Sequence, residues 1–173
     1  SDYSEAADMI RLCNYDWAAK KAQDGDYDGA IALYEALGDY KDSAQKISEV
    51  RTMKAQALAS TGALDDLQSA AVIYAELGDA ASLAATQYQQ AALLLHTQQY
   101  TDAREIFAAL GTYKDAATQL KACDYAIALQ KTDAGQLDEA AALPESISGD
   151  SGAGEQHQSG SNAPDAERGA TSP

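Results

Sequence analysis

Leu37-Gly38-Asp39-Tyr40-Lys41-Asp42-Ser43 recurs as Leu110-Gly111-Thr112-Tyr113-Lys114-Asp115-Ala116, and in degraded form as Leu77-Gly78-Asp79-Ala80-Ala81-Ser82. The chain opens on a partial copy, Asp2-Tyr3-Ser4-Glu5-Ala6. A fixed period is the mark of a repeat array, and it decides the fold before any single element is read. Working outward from this joint, Tyr15, Thr52, Tyr88 and Tyr125 stand 37, 36 and 37 positions apart, and Tyr27, Leu64, Tyr100 and Leu137 repeat the same spacings. The ten tyrosines fall into four columns: Tyr3/Tyr40/Tyr113, Tyr15/Tyr88/Tyr125, Tyr27/Tyr100 and Tyr34/Tyr74, the last shared with Phe107.

Each unit reads as two helices. The long ones are expected near 3–23, 40–60, 80–97 and 113–132, where apolar residues such as Ile47, Val50, Ala57 and Leu58 keep a helical period. Asp2, Asp39, Asp79 and Thr112 are placed to be N-caps, accepting from free backbone N–H groups. Glu5, Asp42, Ser82 and Asp115 follow three residues later, as in a capping box. A tight turn leads into each short helix: Asp24-Gly25-Asp26, Thr61-Gly62-Ala63, Gln98-Gln99 and Ala134-Gly135-Gln136. Tyr27, Ala30, Ile31, Tyr34 and Leu37 face the core in the first copy; Tyr100, Ala103, Arg104, Phe107 and Leu110 do so in the third. Gly38, Gly78 and Gly111 are expected to end these helices in the left-handed conformation. Three extra residues near Asp65–Gln68 read as an enlarged turn in the second unit.

The fold class is therefore all-α. Residues 1–143 form the repeat domain, in units of approximately 2–38, 39–78, 79–111 and 112–143. Residues 144–173 are rich in Gly, Ser and acids, with Ile147 the only large aliphatic residue, so they are expected to be a disordered tail or linker. The last short helix, Gln136–Leu143, has no later repeat to cover it. Since the chain begins inside a unit, it is expected to be part of a longer protein, with any targeting segment upstream; the compartment is open between bacterial cytoplasm and a membrane-tethered envelope.

A net charge of −15 repels phosphate backbones and anionic bilayers. It excludes nucleic acid as a natural partner and favours a soluble monomer. No apolar run approaches the ~18 residues that direct membrane insertion needs. Cys13 and Cys123 share one column three units apart, too far for a disulfide, and read as small buried thiols filling interhelical gaps. His96 and His157 have no neighbouring Cys or His to complete a metal site. No nucleophile–base pair or phosphate-binding loop is evident, so no catalytic, cofactor-binding or metal residues are assigned.

Gly25-Asp26-Tyr27-Asp28-Gly29-Ala30-Ile31-Ala32-Leu33-Tyr34 resembles the centre of a tetratricopeptide repeat, Gly-x-Tyr-x-x-Ala-Ile-x-x-Tyr/Phe. Gln98-Gln99-Tyr100-Thr101-Asp102-Ala103-Arg104-Glu105-Ile106-Phe107 is similar, with Gln for Gly. Ala18, Ala55, Ala91 and Ala128 stand where that family has its small first-helix residues. The period exceeds the family's ~34 residues, and the Leu-Gly-Asp-Tyr joint replaces the usual Pro. The chain thus resembles a divergent tetratricopeptide-like group of Gram-positive bacteria. That resemblance implies a right-handed α-solenoid of about four antiparallel hairpins, binding protein or peptide in a concave groove lined by the first helix of each hairpin. Carried over by position, the groove comprises Tyr15, Asp16, Thr52, Met53, Gln56, Tyr88, Gln89, Tyr125 and Leu129, with Ala19 and Ala92.

Against the groove stands packing of Tyr15, Tyr88 and Tyr125 between successive hairpins. Trp17 is expected in the core. Asp24-Gly25-Asp26-Tyr27-Asp28-Gly29, with Glu35, matches a calcium-loop template. Tyr27 belongs to an apolar repeat column, however, and most of that stretch falls in a helix. The function expected is a non-enzymatic binding or scaffolding module; the alternative is a passive spacer within a larger enzyme or envelope protein.

Overall fold

The structure is a computed structural model that describes residues 2–136. It contains seven α-helices and, among the described residues, no strand: α1 (Asp2–Gln23), α2 (Tyr27–Leu37), α3 (Ser43–Thr61), α4 (Leu64–Leu77), α5 (Ala80–His96), α6 (Tyr100–Leu110) and α7 (Ala116–Asp133). Each helix packs chiefly against its neighbours in sequence. That is how a helical repeat buries its apolar stripes cumulatively. The short helix expected over Gln136–Leu143 lies almost wholly outside the described residues, and the tail over 144–173 lies entirely outside them. No helix among the described residues is long and apolar enough to cross a membrane.

The small-residue column does what close helix approach demands. Ala18, Ala55 and Ala91 are fully buried, as are Ala30, Ala70 and Ala103 on the facing short helices. Large rings fill the remaining space: Tyr34, Tyr74 and Phe107, at most 4% exposed, occupy one column in α2, α4 and α6. The core divides into three clusters. One joins Tyr34 to Ala18, Ala30 and Val50; another joins Phe107 to Ala91, Leu94, Ala116 and Cys123. The middle one is the smallest, with only Ala55, Ala70 and Tyr74 buried.

The joints depart from the expected capping. Asp39 and Thr112 cap nothing, because α3 starts at Ser43 and α7 at Ala116. Two back-to-back turns intervene. The Tyr40 N–H donates to the Leu37 carbonyl and the Ser43 N–H to the Tyr40 carbonyl; Tyr113→Leu110 and Ala116→Tyr113 repeat the pattern. Gly38 (φ 61°, ψ −120°) and Gly111 (φ 57°, ψ −108°) hold the first central position of a type II′ turn, which requires positive φ. They are therefore not the left-handed helix ends expected. Lys41 and Lys114 follow at φ 50° and 49°, a strained choice for a residue with a Cβ.

The middle joint is built differently. Gly78 ends α4 in the left-handed conformation, and Asp79 at once caps α5, its carboxylate accepting from the Ser82 N–H at 3.0 Å. Here the expected cap and glycine are both found. The three extra residues of the second unit do not enlarge a turn. They extend α4 to 14 residues, against 11 for α2 and α6, and the added turn buries Leu67. Asp65 and Asp66 in the first turn of α4 suit the positive end of the helix dipole.

Two further expectations fail on α1. Trp17 is 56% exposed rather than buried, with the Lys21 ammonium 5.2 Å from its ring centroid. Cys13 is exposed, whereas Cys123 in the same column is fully buried. Among the described residues no helix packs on the outer side of α1, so residues that elsewhere meet a preceding helix here meet solvent.

Candidate functional site

Two of the candidate groove residues are consumed by the joints. The Tyr15 hydroxyl donates to the Asp42 carboxylate, linking α1 to the start of α3. The Tyr88 hydroxyl donates to Asp115 in the same way, linking α5 to α7. Each ring lies edge-on to a core aromatic: Tyr15 to Tyr34 at 5.4 Å between centroids and 75°, Tyr88 to Phe107 at 5.7 Å and 73°. Each also meets the joint tyrosine, Tyr40 at 6.2 Å or Tyr113 at 6.0 Å. The lysine forced to positive φ folds back over both rings. Lys41 Nζ lies 4.7 Å from the Tyr15 centroid and 5.4 Å from Tyr40; Lys114 Nζ lies 4.8 Å from Tyr88 and 5.3 Å from Tyr113. The packing reading of Tyr15 and Tyr88 therefore has the geometry on its side.

Titration follows from these bonds. Donation to Asp42, reinforced by loss of hydration, pushes the Tyr15 phenol up to about 12. Tyr88 is raised by its bond to Asp115. The acceptors move the other way: Tyr15 holds the Asp42 carboxyl below the usual aspartate value, and Tyr88, with Gln119, does so for Asp115. Asp79 is lowered by its bonds from Ser82, the hydroxyl first and the backbone second.

The middle joint has no such clamp. Thr52 stands where Tyr15 and Tyr88 do, and its hydroxyl is turned to the Ser48 carbonyl of its own helix. The two-residue joint Gly78-Asp79 has no room for a Tyr-Lys-Asp turn. In place of the missing rings an open concavity of about 280 Å³ lies between α3 and α5. Gln56, Ala59 and Ser60 line it from α3, Ser82, Ala85, Thr86 and Gln89 from α5, and Tyr74 forms its floor from α4. Tyr74 and Thr86 are each 4% exposed, while Gln56, Ser60 and Gln89 are exposed. No lining residue carries a charge. The lining offers two carboxamides, each able to donate and accept, and three hydroxyl-bearing residues around an aromatic floor.

The remaining candidate residues do not join this concavity. Thr52 is half-buried near it, Met53 is 38% exposed, and Asp16 is exposed on α1. Tyr125 and Leu129 are 55% and 47% exposed on α7. Of the groove read from sequence, only Gln56 and Gln89 are brought together. Ser60, Tyr74, Ser82 and Thr86 were missed as lining; the weakened joint at Leu77–Ser82 and Thr52 in a tyrosine column were the signals that marked the place.

The acidic stretch at Asp24–Glu35 is occupied by other work. Tyr27–Leu37 is helix, Asp26 caps it by accepting from Gly29, and Asp24, Asp26 and Asp28 pair with Lys20, Lys21 and Lys54 respectively. A half-buried ion pair was also missed. Asp124, 2% exposed, accepts from Arg104 Nε at 2.5 Å, tying α6 to α7. Charges at positions that are Ile31 and Asn14 in the first unit were its trace in the sequence.

Compared with known proteins, the chain matches no family model, no curated protein and no solved structure.

Proposed function

We propose that this chain is a tetratricopeptide-like right-handed solenoid of about four hairpins, acting as a non-enzymatic module that binds an extended peptide between α3 and α5. The observation that carries the reading is the contrast between joints. Two are closed by tyrosine–aspartate clamps, and the third leaves an uncharged, hydrogen-bonding concavity in their place. Gln56 and Gln89, on facing helices, suit a peptide backbone, which presents alternating donors and acceptors; Tyr74 supplies a flat apolar surface beneath it. The clefts at which bundles of helices take ligands combine an apolar floor with a few such polar groups.

Selection from a random peptide library displayed on phage, followed by calorimetry with the selected peptide, tests this. Gln56→Ala and Gln89→Ala are expected to weaken binding while leaving helicity intact, because both side chains are exposed. Selected peptides that bind both variants unchanged would place recognition elsewhere. The spacer alternative has one observation behind it: Tyr15 and Tyr88, two of the three groove tyrosines read from the sequence, are spent on internal packing. A library that yields no peptide dependent on the concavity would favour it.

A further inference from the structure

The hydroxyls around the concavity between α3 and α5 are not equivalent. Ser60 donates its proton to the Ala57 carbonyl at 2.6 Å, and Thr86 donates to the Ser82 carbonyl at 2.8 Å. The Ser82 hydroxyl donates to the Asp79 carboxylate. A hydroxyl has one proton and two lone pairs, so these three can only accept from a group that enters. Tyr74 is the exception. Its side chain is 4% exposed, and its hydroxyl makes no hydrogen bond among the described residues. No fully buried side-chain oxygen or nitrogen among those residues lacks a partner, so the Tyr74 hydroxyl is reached by solvent, at the floor of the concavity that Tyr74 lines.

The same column elsewhere lacks this combination. Tyr34, in the first unit, lies within the fields of Lys46 and Glu49 on α3. Thirty-six positions on, those two charges are replaced by Ser82 and Ala85, both in the lining. In the third unit the ring is Phe107, which has no hydroxyl. A phenol proton without a partner, ringed by uncharged acceptors, therefore belongs to the middle joint. The charge that acts on Tyr74 is that of Asp79.

We propose that the concavity selects the primary carboxamide of an asparagine or glutamine side chain on the peptide it binds. This specificity rests on the peptide reading given above and names the side chain selected. A carboxamide carries one acceptor oxygen and two N–H donors. Its oxygen accepts from Tyr74, and its N–H groups donate to the hydroxyl oxygens whose own protons are committed. A carboxylate has no proton for those oxygens and meets the field of Asp79 in a chain of net charge −15. An ammonium or guanidinium suits the oxygens but has no acceptor, and it leaves the Tyr74 proton unpartnered once water is displaced. An aliphatic side chain satisfies neither kind of group. A site built from hydrogen-bonding groups rejects analogues that cannot complete its bonds far more strongly than an apolar pocket rejects a misfit.

The test uses phage-displayed random peptides that bind the full chain and lose binding to Gln56→Ala or Gln89→Ala. These are expected to share an asparagine or glutamine at one position. Calorimetry with one such synthetic peptide should show that replacing that residue by the matching acid, by lysine or by leucine weakens binding about ten-fold or more. Tyr74→Phe should weaken the carboxamide peptide several-fold and leave the leucine peptide nearly unchanged, which a merely structural role of Tyr74 would not do. Circular dichroism and the urea midpoint check that this variant folds, and the peptide replacements read specificity on the unaltered protein in any case. Concavity-dependent peptides without a common carboxamide overturn the proposal and leave the peptide reading standing. So does a lysine peptide that binds as well as the carboxamide one, or a Tyr74→Phe loss equal for both peptides. A library that yields no concavity-dependent peptide overturns both.

Discussion

The outer joints and the middle joint solve one problem in two ways. Between α2 and α3, and between α6 and α7, five residues form two turns, place a lysine at positive φ and present an aspartate to a tyrosine on the preceding long helix. Tyr15 and Tyr88, Tyr34 and Phe107, Tyr40 and Tyr113, Lys41 and Lys114, and Asp42 and Asp115 are all 73 positions apart. The two clamps agree within a few tenths of an ångström in their ring and ammonium distances. Between α4 and α5, two residues suffice, and a capping aspartate replaces the clamp. The lesson is that local helix capping and long-range clamping compete for one acidic side chain. Asp79 serves its own helix, and the joint stays open; Asp42 and Asp115 serve a distant tyrosine, and their own helices go without a side-chain cap.

The largest effect that would break the comparison lies in the core aromatics. Tyr34→Ala or Phe107→Ala should cost about 3–5 kcal/mol, since each empties a sealed site in a larger cluster. Tyr74→Ala should cost less, because its site already opens to the concavity. Urea denaturation midpoints report the order, and equal losses would mean that the middle joint is packed as well as the others.

Removing the clamp hydroxyls is a smaller change. Tyr15→Phe and Tyr88→Phe should each lower the midpoint at neutral pH, whereas Tyr74→Phe should not, since the Tyr74 hydroxyl has no clamp to lose. The pH dependence separates the two cases. Asp42 and Asp115 have folded values below their unfolded ones, so their contribution is complete above about pH 4 and fades as pH falls through the folded values. Tyr15 and Tyr88 are shifted upward, so their contribution is complete below about pH 10 and is lost above it, toward about 12 for Tyr15. The gap between wild type and the double Phe variant should therefore be widest from pH 5 to 9 and should close at both extremes.

Spectrophotometric titration sharpens this further. The Tyr15 phenol should ionise near pH 12, and Tyr15→Phe should remove that step.

The smallest effect concerns the turns inside the helix pairs. Gln98 takes φ 63° where the first pair has Gly25 at 85°. Gln98→Gly should stabilise by about 0.5–1 kcal/mol, relief of the Cβ strain outweighing the added freedom of the unfolded chain. A lowered melting temperature would show that the Gln98 side chain contributes more than its backbone costs.

Much of the fold was legible because repetition turns burial into columns. Tyr34, Tyr74 and Phe107 share a column by spacing, and Ala18, Ala55, Ala91 and Ala128 stand where the tetratricopeptide resemblance puts small first-helix residues; all are buried except Ala128, which is half-buried. The joints were harder to read. Asp39 followed by Asp42 fits a capping box as well as a turn, and nothing local announces that Lys41 will take positive φ. That conformation is held by rings from another helix, and such support is invisible in a short window. Trp17 and Cys13 failed for the complementary reason. A column predicts burial only where a neighbour exists to bury it, and among the described residues α1 has none on that side. Of the candidate site, Gln56 and Gln89 came from the positions that the tetratricopeptide resemblance assigns to a groove. Ser82 and Thr86 did not, because they line the concavity only when the clamp is missing.

The unequal joints also have a mechanical consequence. Segments joined in series share a bending load, and the joint with least cross-bracing takes most of the deflection. The ties from α1 to α3 and from α5 to α7 brace the two ends, and the gap between α3 and α5 has no equivalent tie. Bending is therefore expected to concentrate at that gap, as at an elbow between two arms. If the proposed peptide seats there, the angle between the two arms is expected to change with it.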